Sequence, residues 1–287
     1  MTVIDAHQHA WDPTSVEYSW LVGDTPLNRP IGWDELAPHL ARNGITGTVM
    51  VQSADNDADT DFMIALADAH PEIVAIVGFV PLHEPEGAAR GLARHASEPR
   101  ITGYRNLIHD RPDPDWLVRP DFDEGLGLLE AAGASFDVVG VLPAHLRHVP
   151  TLGERHPGLR MVIDHLNKPP IGAAEREPWW TLIAVAAQNP NVYAKVSGLY
   201  SAVGDPGDWT PDLVRPFFER ALEVFGPRRL MYGGDWPVSM TAGDYDRVWD
   251  GLNVLFDSLN PQDRERILSG TAIDFYRIDL GRIAALR

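Results

Sequence analysis

The sequence predicts an α/β protein, a single (β/α)8 barrel (the TIM-barrel architecture) with an extra C-terminal helix. Eight short, β-branched apolar runs alternate with longer segments of helical character along the 287 residues. The runs are almost continuously apolar, which is typical of strands buried on both faces of a parallel sheet. No repeat, linker or low-complexity tract divides the chain, so we expect residues 1–287 to form one domain.

The predicted elements alternate strictly, each strand being followed by a helix. A threonine N-cap before Pro211 and the Gly226-Pro227 stop mark the clearest of these helices. The strands are predicted at Thr2–Ala6, Ile45–Val51, Ile73–Val80, Ile101–Arg105, Ser135–Val139, Leu159–Ile163, Val192–Val196 and Arg229–Tyr232. The helices are predicted near 34–43, 57–70, 86–97, 121–133, 143–156, 178–188, 211–225 and 243–258, with a last helix from Asn260 to about Ile278.

An open, doubly wound sheet uses the same alternation of strands and helices and is the alternative fold. The count of eight strands favours the closed barrel. The first strand is also not followed by the glycine-rich turn that binds dinucleotides in open sheets of this kind.

Composition excludes several classes of partner and chemistry. Acidic residues outnumber basic ones by 41 to 24, and a net charge of −17 disfavours nucleic acid and anionic membranes. The chain has no cysteine, so disulfides, thiolate metal sites and catalytic thiols are excluded. It has no apolar run long enough to span a membrane, and its first residues lack the features of a signal peptide. We therefore expect a cytoplasmic protein.

Chemically active side chains follow three of the predicted strands at the rim where barrel enzymes carry their sites. His7 and His9 follow the first strand, and their spacing of two places both imidazoles on one side of an extended chain. His165 follows the sixth strand and Asp235 the eighth. Each alone has an ordinary explanation as a capping or loop residue, and chance gives about 0.4 His-x-His pairs in such a chain. Four of them at matching strand ends favour a common site.

These motifs resemble those of the amidohydrolase superfamily, in which His-x-His ends the first strand and an aspartate ends the eighth. More narrowly, the chain resembles the related lactonases, which include sugar-acid lactonases and 2-pyrone-4,6-dicarboxylate lactonase. The resemblance runs nearly end to end and is carried by IDAHQHAW at 4–11, YSWL at 18–21, VQS at 51–53, GYR at 103–105, IDHLNKP at 163–169, KVSGL at 195–199 and MYGGDWPV at 231–238.

The resemblance implies a hydrolase that opens a lactone ring, most simply that of a sugar acid. Asp235 is predicted to act as the general base for water, and His7, His9 and His165 to polarise the carbonyl. A metal-dependent decarboxylase of a related branch shares this scaffold and is one alternative. An inert barrel that binds a sugar acid is another. A small-molecule lactone is the predicted partner, and the sequence does not fix the oligomeric state.

The predicted substrate-binding residues come from the same strand ends and loops. Arg105 offers a planar fork for carboxylate or hydroxyl groups, although a salt bridge explains it as well. Trp11 and Trp236 are candidate walls for a sugar ring, with core packing as the alternative. Gln52 is a candidate hydrogen-bonding partner. Lys195 needs a buried carboxylate partner, Asp137 or Asp235, and is a candidate for substrate contact or for support of the base.

The sequence predicts either no cofactor or at most one divalent metal ion. Members of the superfamily with two metals use a lysine after a middle strand, and the fourth and fifth strands here end without one. Three imidazoles and a carboxylate suit a single Zn²⁺, with His7, His9, His165 and Asp235 as the ligands if a metal is present.

Overall fold

The computed structural model of the chain describes residues 1–109 and 111–286, and its centre is one sheet of eight parallel strands. The strands lie in the sheet in their chain order, which confirms the predicted (β/α)8 barrel. They are β1 (Ile4–Gln8), β2 (Gly47–Val51), β3 (Ile73–Gly78), β4 (Ile101–Arg105), β5 (Ser135–Val138), β6 (Arg160–Ile163), β7 (Val192–Val196) and β8 (Leu230–Tyr232).

Eight helices alternate with these strands, and their observed ends lie within a few residues of the predicted ones. They are α1 (Trp33–Asn43), α2 (Asp57–Ala69), α3 (Pro85–His95), α4 (Pro120–Ala132), α5 (Pro143–Arg155), α6 (Trp179–Ala186), α7 (Pro211–Phe225) and α8 (Tyr245–Phe256). None of the described helices is long and apolar enough to cross a membrane.

The predicted last helix consists of three consecutive helical segments, and a further helix follows it. A π-helical turn at Arg266–Gly270 joins α9 (Pro261–Glu265) to α10 (Thr271–Tyr276), and α11 spans Leu280–Ala285. Apolar side chains of α10 and α11 pack with residues of the strands in one buried cluster. The C-terminal segment is therefore part of the core of the barrel.

The first strand begins and ends two residues later than predicted, and this shift matters for the site. The prediction of Thr2–Ala6 ended the strand at its last apolar residue, whereas Gln8 is still paired with Met50 of β2. His7 thus lies within β1, where its backbone is fixed by the sheet.

The barrel closes through the segments that carry the predicted catalytic residues. The amide of Asp235 donates to the carbonyl of His7 at 2.8 Å, and the amide of His9 donates to the carbonyl of Trp236 at 2.7 Å. These two bonds lie just beyond the end of β8 and join it to β1. Closure of the sheet and assembly of the site therefore depend on the same backbone contacts.

Candidate active site

Three histidines and one aspartate meet at the carboxyl ends of β1, β6 and β8. The Nε2 atoms of His7 and His9 are 3.1 Å apart. Oδ1 of Asp235 lies 3.7 Å from the first of these atoms and 3.5 Å from the second. The ring of His165 packs edge-on against His7, with 4.6 Å between ring centroids. The structure thus brings together all four residues that the sequence predicted to be catalytic.

Unusual backbone conformations place two of these side chains. His165 and Asp235 both have positive φ, 53° and 54°, in the left-handed region that non-glycine residues seldom adopt. Such conformations persist where surrounding contacts hold them, and they are concentrated at functional sites. Gly198 lies against both side chains: a Cβ there would come within 2.5 Å of Nδ1 of His165 and 2.7 Å of Oδ2 of Asp235.

A buried charge network lies directly behind His7. Nζ of Lys195 is 2.6 Å from Oδ2 of Asp137, 3.0 Å from Oδ1 of Asp164 and 3.1 Å from Nδ1 of His7. The contacts with Oδ2 of Asp137 and Nδ1 of His7 are hydrogen bonds, and Oδ1 of Asp164 is held at ion-pair distance. Asp164 also receives a hydrogen bond from Arg105 at 3.0 Å. The sequence prediction of Asp137 as a partner of Lys195 is confirmed.

This network and the neighbouring backbone contact Nδ1 of each of the two paired histidines. Nδ1 of His7 lies 3.1 Å from Nζ of Lys195 and 3.4 Å from Oδ1 of Asp164, and a hydrogen bond from Lys195 to Nδ1 would place the proton of a neutral His7 on Nε2. The carbonyl of Val51 accepts a hydrogen bond from Nδ1 of His9 at 2.8 Å, which leaves Nε2 of His9 as an acceptor. Burial and the Lys195 ammonium lower the pKa of His7 well below its ordinary value. His7 is therefore a neutral imidazole whose Nε2 faces His9 and Asp235.

The carboxylate of Asp235 is held ionised and oriented. Burial alone would raise its pKa, but the nearby imidazoles of His165, His9 and His7 outweigh burial and lower the pKa below its ordinary value. The hydroxyl of Tyr200 donates to Oδ2 of Asp235 at 2.7 Å. Oδ1, the other oxygen, is the one that faces His7 and His9. One oxygen is thus anchored and the other is directed at the imidazoles.

His165 is buried as a neutral imidazole. Desolvation lowers its pKa to about 4, against the opposing effect of the carboxylates of Asp235 and Asp164. Its Nδ1 lies 2.8 Å from the hydroxyl oxygen of Ser197. At neutral pH the ring thus contributes hydrogen bonding and no charge to the site.

A cavity of about 200 Å³ opens over this cluster. Its lining combines apolar side chains with imidazole, hydroxyl, carboxylate and cationic groups, which suits a ring that has hydroxyl groups. The lining residues are His9, Trp11, Trp20, Ser53, Arg105, Leu107, His109, Val139, Val141, His165, Lys168, Ser201, Asp235 and Val238.

The five predicted substrate-binding residues occupy different places relative to this cavity. Trp11 and Arg105 line it, although the Arg105 guanidinium already contacts Asp164 and the backbone carbonyl of Gln52. The other three lie behind the lining residues of the described chain. Gln52 donates to the carbonyl of Arg105 at 3.0 Å, Trp236 is 2% exposed, and Lys195 is wholly enclosed in its ion pairs.

The donor set of the site fits one divalent cation. Nε2 of His7, Nε2 of His9 and Oδ1 of Asp235 are 3.1 to 3.7 Å apart. These separations match the edge of a zinc tetrahedron, about 3.3 Å for ligands at roughly 2.0–2.1 Å. A second group, formed by His7, His165 and Asp164, is also close enough, but Lys195 and Arg105 already neutralise its carboxylate. A cation bound to the first group takes the place of the proton on Nε2 of His7.

Comparison with known proteins agrees with this geometry. Residues 4–278 match the protein family described as amidohydrolase. The chain belongs to this family. The amidohydrolase is 36% identical, over 96% of each chain, to an L-fucono-1,5-lactonase of Burkholderia ambifaria, and 30% identical, again over 96% of each, to an L-fucono-1,5-lactonase of Burkholderia multivorans.

A solved structure extends the comparison to three dimensions. It is an amidohydrolase of Burkholderia multivorans with bound zinc, superimposed with a TM-score of 0.88 at 28% identity over 97% of this chain and 100% of that one. The resemblance to amidohydrolase-related lactonases inferred from sequence motifs is therefore confirmed.

Two candidate functional residues were missed by the sequence reasoning. Asp164 stands next to His165 in a motif already singled out, so its position was a usable signal for the ion pairs with Lys195 and Arg105. Tyr200 follows β7 within a short helical turn, and no spacing rule connects it with Asp235. Only the packing of two loops brings that hydroxyl to the carboxylate.

Proposed function

We propose that this amidohydrolase hydrolyses the cyclic ester of a sugar-acid lactone, with L-fucono-1,5-lactone as the first substrate to test. The observation that carries the proposal is the meeting of an ionised Asp235 with His9 at the cavity, with His7 buried directly against both. The names of the two Burkholderia relatives support the substrate class. The proposal treats residues 1–287 as one domain, and the family match over residues 4–278 supports this. It also treats the protein as cytoplasmic, which cell fractionation would test.

The geometry supports a mechanism in which Asp235 moves one proton twice. Its Oδ1 accepts a proton from a water molecule as the water oxygen attacks the lactone carbonyl carbon. The bond from that carbon to the ring oxygen then breaks, and Asp235 returns the proton to the departing alkoxide. The sum is one lactone plus one water giving one hydroxy acid.

The imidazoles stabilise the charge that develops on the carbonyl oxygen. His7 offers Nε2–H, because Lys195 occupies the other nitrogen, and His165 is a second candidate donor from the facing loop. A pre-aimed donor of this kind contributes about 3 kcal/mol to lowering the barrier. When a divalent ion is bound by His7, His9 and Asp235, it supplies Lewis acidity to the same oxygen and lowers the pKa of bound water.

A panel of aldonolactones and uronolactones, assayed by acid release with a pH indicator, tests the function. We expect turnover of at least one neutral sugar-acid lactone. We also expect Asp235→Asn to lower kcat by about 10³-fold or more, while calorimetry shows retained lactone binding. Asp250→Asn, on the exposed face of α8, is the matched control and should keep wild-type turnover.

Three results would contradict the proposal in different ways. Near-normal turnover by the Asp235→Asn variant would remove this carboxylate from the mechanism. Tight lactone binding without any hydrolysis would favour the inert sugar-acid-binding barrel. Release of CO₂ from an aromatic or dienoic acid, lost on treatment with a chelator, would favour the decarboxylase.

A further inference from the structure

The lysine of the loop after β6 has no assigned role, and its surroundings point to one. Lys168 lines the cavity together with His165 from the same loop. It is one of only two lysines in a chain of net charge −17, and the other, Lys195, is enclosed in buried ion pairs. Lys168 is therefore the one lysine of the chain that lines this cavity, where Arg105 is the other cation.

The backbone around Lys168 is held in a conformation that places both cavity residues. His165, Leu166, Asn167 and Lys168 have consecutive φ values of 53°, 50°, 56° and 46°, all in the left-handed region. The side chain of Asn167 donates to the carbonyl of Leu142 at 3.1 Å. The backbone amide of Lys168 donates to the carbonyl of His165 at 2.9 Å. These contacts hold a turn that places an imidazole and an ammonium at one cavity.

The Lys168 ammonium is also the cation at this cavity that remains available. The guanidinium of Arg105, the other cation of the lining, forms an ion pair with Asp164 and donates to the carbonyl of Gln52, and its buried Nε has no partner. The ammonium of Lys168 makes no hydrogen bond or ion pair with any residue in the ranges 1–109 and 111–286. Its charge acts on His165, where it contributes to lowering the pKa of the imidazole.

We propose that Lys168 binds the carboxylate that is formed when the lactone ring opens. This inference rests on the proposed function. Hydrolysis converts a neutral ester into an anion within the cavity that Asp235 lines, and two carboxylates in one enclosed site repel each other. The ammonium offsets this repulsion through a charge-assisted hydrogen bond, while a neutral lactone gains little from it. Lys168 is therefore a residue that discriminates the acid product from the lactone substrate.

The test compares binding of the acid with use of the lactone in Lys168→Met and Lys168→Arg. Sodium L-fuconate is the probe, measured by calorimetry and as an inhibitor of lactone hydrolysis. We expect Lys168→Met to raise the Kd of L-fuconate at least about tenfold and to leave KM for the neutral lactone within about threefold. Lys168→Arg should retain most of the affinity, and Arg147→Met on the exposed face of α5 is the matched control for charge loss.

The outcomes separate this inference from the proposed function. Unchanged L-fuconate affinity in Lys168→Met, no L-fuconate binding by the wild type, or equal weakening of acid and lactone would each overturn the role of Lys168. If the wild-type protein hydrolyses no lactone, the proposed function is wrong. Calorimetry needs no turnover, so the measured affinity for L-fuconate still tests the role of Lys168 in binding the acid.

Discussion

At the scale of single residues, the site depends on which nitrogen of His7 carries the proton. Lys195 bears on this, because its ammonium lies 3.1 Å from Nδ1 of His7, where a donated hydrogen bond places the imidazole proton on Nε2. Lys195 is thus a positioning residue, which acts on the substrate through the imidazole. The hydroxyl of Tyr276 donates to Oδ2 of Asp137 at 2.7 Å, the same oxygen that Lys195 contacts.

Replacing Lys195 by methionine separates its structural role from its catalytic one. Lys195→Met leaves the buried carboxylate of Asp137 without its cation and Asp164 with Arg105 alone, and we expect a loss of about 3–5 kcal/mol in the free energy of unfolding. Adding Asp137→Asn removes one of these charges and should restore much of that stability. The double variant should still show a kcat at least about 10²-fold below wild type, because His7 has lost its fixed tautomer.

Urea denaturation and lactone turnover of the single and double variants check this expectation. Asp137→Asn alone serves as the control for loss of that carboxylate. Full recovery of kcat together with stability in the double variant would show that Lys195 has a purely structural role.

At the scale of elements, the strand ends place the chemistry and the turns after them orient it. The turn after β6 and the segment after β8 carry His165 and Asp235 with positive φ, and the turn after β7 fills the space between them. Gly198, with φ of 56°, belongs to this third turn. The close approach of two functional side chains leaves no room for a Cβ there, so the glycine is a spacing requirement as well as a conformational one.

Gly198→Ala should therefore impair catalysis more than folding. The added Cβ would come within 2.5 Å of Nδ1 of His165 and 2.7 Å of Oδ2 of Asp235, so these groups must move apart. A displacement of about 1 Å can cost a factor of about 10² in rate, and we expect a fall in kcat of that order.

The matched control for this prediction is Gly44→Ala, at the end of α1. Gly44 has a similar φ of 66°, but no atom lies within 4 Å of its added Cβ. It carries the same conformational strain without touching the site. A similar loss of kcat in both variants, measured with the same lactone, would contradict the spacing argument.

At the scale of the whole molecule, stability and function share the same buried polar groups. The backbone bonds that close β1 onto β8 come from His7, His9, Asp235 and Trp236. The interior of the barrel also holds ionisable side chains that are almost fully buried, among them His165, which is 7% exposed. Proton uptake on unfolding therefore links stability to pH.

His165 gives this linkage a sign that can be measured. Its pKa is lowered from 6.5 to about 4 in the folded protein, so the unfolded chain binds a proton between these pH values and the folded one does not. The stability contributed by the neutral imidazole is present above pH 6.5 and is lost as the pH falls toward 4. The unfolding free energy of wild type relative to His165→Gln should drop by about 2 kcal/mol between pH 7.5 and pH 5. Urea titrations at both pH values check this, and an equal difference at the two values would contradict it.

Sequence periodicity determined the eight strands, the eight helices and their order, because buried parallel strands must be apolar throughout and their crossovers must be amphipathic. It also predicted that His7, His9, His165 and Asp235 lie at strand ends that share one rim, although His7 lies within β1 and does not follow it. The last helix was predicted as one element, but a π-helical turn at Arg266–Gly270 interrupts it. Apolar spacing alone carries no signal for that change of hydrogen-bonding pattern.

The tertiary structure decided which side chains reach the cavity and which support it. The sequence proposed Gln52, Trp236 and Lys195 for substrate contact from their positions at strand ends, and the structure places them behind the residues that line the cavity. The reason is that a strand end fixes where a residue lies along the barrel, but the direction of its side chain depends on sheet register and on partners distant in sequence. Such long-range contacts decide the pairing of Lys195 with Asp164 and of Tyr200 with Asp235. They also decide that the ammonium of Lys168 lines the cavity without an ion pair among the described residues.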